Sequence, residues 1–107
     1  MKTVVITGAS TGIGRATAEY LAGKGWQVFA GIRKEADGAA LIEANSDIKP
    51  ILLDVTKPDQ VDAAVETVRA ALAGQKLAGL VNNAGIANMG PLALQPIDQF
   101  EAHFSVN

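Results

Sequence analysis

Thr7-Gly8-Ala9-Ser10-Thr11-Gly12-Ile13-Gly14 is the stretch that decides how this chain folds. Just upstream, residues 3–7 form a β-branched, continuous run, as expected of a strand buried on both faces. Downstream, Ile13, Ala16, Thr17, Tyr20 and Leu21 recur at helical spacing until Gly23 and Gly25 stop the pattern. A glycine loop between a strand and a helix has a physical purpose. Gly8 permits the tight turn off the strand. Gly12 lets the backbone approach a diphosphate with no Cβ in the way, and Gly14 lets the helix pack close to the sheet. The first N–H groups of the helix have no intrahelical acceptor and carry the positive end of its dipole, so they favour an anion. Ser10 and Thr11 add hydroxyl donors, and Ile13 belongs to the same candidate set. The spacing is G-x3-G-x-G with no following G-K-[ST], which excludes a P-loop.

Outward from the loop, short β-branched runs alternate with longer helical patterns, which predicts βαβ units on a parallel sheet. The second strand is predicted over Gln27–Ile32, followed by a weaker helix over residues 36–44 and a third strand over residues 50–53. Thr56-x-x-Asp59 resembles a capping box opening a helix with Val61, Val65, Val68 and Leu72 at helical spacing, ended by Gly74. A fourth strand is predicted over residues 77–82, then a loop over residues 85–96 and a last helical pattern still running at Asn107. Right-handed crossovers order these strands 3-2-1-4. The fold class is therefore α/β, a Rossmann-type doubly wound parallel sheet truncated after about four strands. Residues 1–107 are expected to be the first part of a single dinucleotide-binding domain. Strand four, with Leu80 and Val81, is expected to lie on an open apolar edge.

Composition narrows the function further. With 49% apolar and 19% charged residues, the chain is a globular rather than a disordered sequence. The net charge of −2 has no basic block, so nothing points to nucleic acid or an anionic membrane. There is no cysteine, which rules out thiolate catalysis, disulfides and Cys-based zinc sites and is compatible with a cytoplasmic location. No metal site is expected. No apolar run reaches membrane-spanning length.

Asn82-Asn83-Ala84-Gly85 follows strand four directly. Together with the glycine loop, each motif at the end of its expected strand, it gives the chain a resemblance along its whole length to the short-chain dehydrogenase/reductase family. That resemblance implies an oxidoreductase passing hydride between a nicotinamide and an alcohol or carbonyl substrate. It implies that Asn82, Ala84 and Gly85 brace the sheet and border the cofactor's ribose. It also implies that the Asp54 carboxylate takes the exocyclic amino proton of adenine while the Val55 N–H faces a ring nitrogen. A carboxylate accepts and cannot donate, which suits an amino group; attraction to the next helix N-terminus is a compatible second role.

The end of strand two bears on coenzyme choice. An NAD-selective site places an acid there for the ribose 2′-OH. Here Ile32 takes that position and Arg33 follows, and a guanidinium matches the 2′-phosphate of NADP, so NADP(H) is expected over NAD(H). Thr11 stands where many NADP-preferring relatives carry a basic residue, which pulls the other way. Asn107 resembles the family's tetrad asparagine, which holds a water in the proton relay. The tetrad's Ser, Tyr and Lys have no match. Tyr20-x-x-x-Lys24 has the spacing, but its helix leads away from the diphosphate loop and Tyr20 is expected in the core. His103 is expected on a surface or half-buried helix face, without a catalytic partner. Local likeness in residues 28–34 and 52–56 points to a hydrophobic alcohol or ketone of the steroid or retinoid kind. A homo-oligomeric parent is implied as well. The alternative is a catalytically inert dinucleotide-binding module or an interaction subunit.

Overall fold

The computed structural model describes residues 1–107. Four strands, β1 (Thr3–Ile6), β2 (Gln27–Ile32), β3 (Ile48–Leu52) and β4 (Gly79–Val81), form one sheet in the order β3-β2-β1-β4. All three strand pairings are parallel. The helices are α1 (Gly12–Gly23), α2 (Gly38–Ala44), α3 (Pro58–Leu72) and α4 (Ile97–Val106). The expected strand order is the observed one.

Alternation along the central strands divides the core between two sheet faces. Val4, Ile6, Val28, Ala30 and Ile32 point to one face and pack with Ala18 and Ala22 of α1 and Leu41 of α2. Val5 and Phe29 point to the other and pack with Leu53 and with Ala64 and Val68 of α3. Burying each large side chain such as Phe29 stabilises the fold by about 1.5–3 kcal/mol.

Several expected details differ. The buried face of α1 is Gly14, Ala18 and Ala22. Ile13 and Tyr20, placed on the apolar face from periodicity, are 79% and 65% exposed. Close approach of a helix to a sheet demands small side chains, so the packed face carries the weaker hydrophobic signal. Tyr20 is therefore not a core residue; its ring lies 5.4 Å from Lys24 Nζ on the surface. β3 begins at Ile48, before Pro50, and a proline is tolerated there because β3 is an edge strand. β4 is only Gly79–Val81, shorter than residues 77–82. A 3-10 turn, Glu35–Asp37, precedes α2.

The expected capping box does not form. Lys57 is the N-cap of α3, with no side-chain cap bond, and Pro58 opens the helix. The Thr56 hydroxyl is taken instead by Asp54. Beside α3, an apolar groove of about 500 Å³ is lined by Val61, Val65, Leu72, Leu77 and Leu80 among others. Leu80, 57% exposed on edge strand β4, is open as the sequence implied.

Candidate dinucleotide site

The loops after β1, β3 and β4 meet above the C-terminal ends of the strands, where parallel doubly wound sheets bind ligands. They enclose a cavity of about 450 Å³. Its lining runs from Arg33, Asp54, Val55 and Thr56 on one side, past Gly8, Ser10, Thr11 and Ile13, to Asn83, Ala84, Gly85, Ile86 and Val106 on the other.

The glycine loop is held by contacts that only glycine permits. Gly8 has φ +64°, and a Cβ there would lie 2.8 Å from Ala84 Cα. A Cβ on Gly14 would lie 2.3 Å from the Gly8 carbonyl oxygen and 2.5 Å from Asn83 Nδ2. So Gly14 packs on the loop and on Asn83 rather than on the sheet at large. Gly12 differs: its φ is +60° and nothing of the protein lies within 4 Å of where a Cβ would be. The left-handed backbone and the open space together leave room at the helix start for a ligand group. Thr11, the N-cap of α1, makes no side-chain bond to the helix. The first-turn N–H groups are therefore not consumed by a cap. These features fit a dinucleotide's diphosphate.

Two side chains that sequence reasoning passed over tie the loops together. Asn83 Nδ2 donates to the carbonyl oxygens of Thr7 and Gly8, at 3.2 and 3.0 Å. The Thr7 hydroxyl oxygen, in a buried residue, accepts the N–H groups of Asn83 and Ala84 at 3.0 and 2.9 Å. The signature loops after β1 and β4 thus form one hydrogen-bonded unit. Asn82 is not part of it. It is exposed and lines the apolar groove instead. Parity explains the division, since consecutive residues of an extended segment face opposite ways. Val81 packs on the α1 side, and Asn83, two residues on, faces the same way.

The β2 and β3 ends supply side-chain chemistry. Arg33 is exposed, lines the cavity and forms no ion pair. Arg15, the other basic residue nearby, is occupied by Glu19 at 2.7 Å. Asp54 Oδ1 accepts the Thr56 hydroxyl at 2.6 Å and the Thr56 N–H at 3.0 Å. These two bonds hold the Asp54 carboxyl below its ordinary range; desolvation opposes them, and the charges of Lys57 and Arg33 reinforce them. The Asp54 N–H donates to Gln60 Oε1 at 2.8 Å.

On the far wall, Asn107 clamps one residue with both ends of its amide. Its Oδ1 accepts the Ile86 N–H at 2.8 Å and its Nδ2 donates to the Ile86 carbonyl at 3.0 Å. An added Cβ on Gly85 would lie 3.3 Å from that Oδ1. One turn earlier on α4, His103 Nε2 accepts the Asn88 N–H at 3.0 Å. The His103 Nε2 lone pair thus helps fasten the same loop, a role the sequence did not suggest. No group of His, Asp and Glu residues is placed to hold a metal ion, and no helix is long and apolar enough to cross a membrane.

Comparison with known proteins agrees with this geometry. Residues 2–107 match the family model described as short chain dehydrogenase. The chain is 36% identical over 108 residues to the NADPH-dependent 3-dehydrocapnine reductase of Ornithobacterium rhinotracheale, covering 100% of this chain and 38% of that protein. It is 35% identical over 113 residues to the mitochondrial D-beta-hydroxybutyrate dehydrogenase of Rattus norvegicus, covering 99% of this chain and 33% of the relative. Among solved structures, a short-chain dehydrogenase from Streptomyces avermitilis superposes with a TM-score of 0.87 at 31% identity, over 98% of this chain and 38% of the other. The chain thus spans 33–38% of the length of these relatives.

Proposed function

This chain belongs to the short-chain dehydrogenase family, and from that premise we propose that it is the NADP(H)-binding portion of an oxidoreductase acting on an alcohol/carbonyl pair. The observation that carries the reading is the cradle itself. Gly8, Gly12 and Gly14 shape a backbone around open space at the start of α1, and Asn83 and Thr7 lock that shape. When bound, a nicotinamide coenzyme supplies the hydride chemistry.

The chain's own residues bind and orient. Amides at the α1 N-terminus, with Ser10 and Thr11, receive the diphosphate. Arg33, free of an acidic partner, receives a ribose 2′-phosphate by charge-assisted hydrogen bonds. Asp54 and Val55 meet the purine edge, and Ala84 and Gly85 border the ribose. Asn107 holds the position of the family's tetrad asparagine; with both amide atoms engaged by Ile86, its side chain fixes the far wall of the cavity. An oxidoreductase is favoured over an inert module because relatives matching this whole chain carry reductase and dehydrogenase names.

Coenzyme choice is the sharpest test. In a fluorescence titration the wild-type protein should bind NADPH at least about tenfold more tightly than NADH, the scale of one charge-assisted contact. Arg33→Ala should remove that preference. Equal affinities, or tighter NADH, would refute the choice of NADP(H).

A further inference from the structure

Asp54 is held more tightly than a turn into α3 requires. A side-chain turn at the start of a helix needs only the backbone N–H two residues on. Here the Thr56 hydroxyl adds a second, shorter bond to the same oxygen, at 2.6 Å against 3.0 Å for the amide. From behind, Gln60 Oε1 takes the Asp54 N–H at 2.8 Å, fixing the backbone that carries the carboxylate. The consequences fall on what is left over. Asp54 Oδ2 accepts no hydrogen bond within the chain, and the Val55 N–H donates none. Both residues line the cavity, as does Thr56. One fixed acceptor and one fixed donor are thus offered side by side.

We propose that Thr56, backed by Gln60, is the positioning residue that sets base selectivity in this cavity: by saturating Asp54 Oδ1 it presents Oδ2 beside the Val55 N–H, a pair that accepts a 6-amino purine and rejects a 6-oxo purine. The inference rests on the coenzyme reading above and deepens it. A 6-amino purine offers an amino donor next to a bare ring nitrogen, the complement of that pair. A 6-oxo purine offers a carbonyl oxygen next to a ring N–H, setting acceptor against acceptor and donor against donor. An unrestrained carboxylate could rotate to lessen the clash; one held by two donors on a single oxygen cannot.

The test compares binding of NADPH with binding of its 6-deamino (hypoxanthine) counterpart by the wild-type protein and by Thr56→Val, Thr56→Ser and Asp54→Ala. Wild type is expected to prefer NADPH by about tenfold or more, the scale of one hydrogen bond to a charged group. Thr56→Val should reduce the ratio to less than about threefold, since its amide bond alone remains, and Thr56→Ser should restore it. If Thr56→Val does not yield folded protein, Gln60→Leu reads the same restraint from the backbone side, and the ratio should fall there too. Wild-type discrimination that survives Thr56→Val, with both coenzymes weakened alike, overturns this inference alone. A wild-type protein indifferent to the amino group, or discrimination undiminished in Asp54→Ala although the Val55 N–H is then the one reader left, overturns the carboxylate–amino contact in the coenzyme reading and this inference with it.

Discussion

The two halves of the chain are built to different standards. Of 20 buried residues, only Ala64 and Val68 come from beyond Thr56. The first half closes a ten-residue cluster beneath α1 and α2. The second contributes a three-residue strand, a helix with an apolar groove beside it, and α4, which buries nothing fully. Yet the cavity draws on both. The packed half supplies the glycine loop and the residues, Arg33 and Asp54, to which we assign the reading of the coenzyme. The open half reaches the cradle through Asn83 and positions its own loop through Asn107 and His103. Packing fixes the binding side, and a few directed hydrogen bonds fix the facing side.

Substitutions can break or sharpen that contrast. Phe29→Ala, in the packed half, should destabilise by about 3–5 kcal/mol in urea unfolding, while Val65→Ala, on the open face of α3, should cost less than about 1 kcal/mol. Equal losses would erase the distinction. Gly14→Ala should cost about 1–3 kcal/mol or more through the collision with Gly8 and Asn83, and should abolish coenzyme binding. Gly74→Ala, at φ +89° but in open space, should cost about 1–2 kcal/mol and leave binding intact.

Asn83→Ala tests the tie between the halves. It removes both donors to Thr7 and Gly8 and should cost about 1–3 kcal/mol, weakening NADPH binding without changing the preference over NADH. The smallest effect belongs to Asp54. Its folded pKa lies below the ordinary carboxylate value, so its stabilisation is fully present above that value and is lost as pH falls through the lowered one. The stability gap between wild type and Asp54→Asn should therefore be largest near neutrality and close in acid. Being well solvated, this is expected to be a minor contribution.

Where the backbone demanded a specific residue, the sequence was legible. Gly8, Gly12 and Gly14 announced the cradle because no other residue tolerates those torsions or approaches, and crossover handedness ordered the sheet. Legibility failed where the signal was relative. The packed face of α1 uses glycine and alanine, so the larger Ile13 and Tyr20 masqueraded as its core side. Asn82 and Asn83 are chemically identical, and only strand parity separates the groove residue from the brace. Counting by twos from Val81 would have found Asn83. The destination of the Thr56 hydroxyl was hidden because a capping box and an Asp54 partner compete for the same group, and Pro58 starts the helix without the cap.

Backbone amide NMR on addition of NADPH tests most directly whether the cradle is the binding surface. Saturable shifts concentrated at Thr11–Gly14, Val55 and Asn83–Gly85 are the expected result. Shifts confined to the apolar groove around Val61 and Leu80, or no saturable change at all, would contradict it.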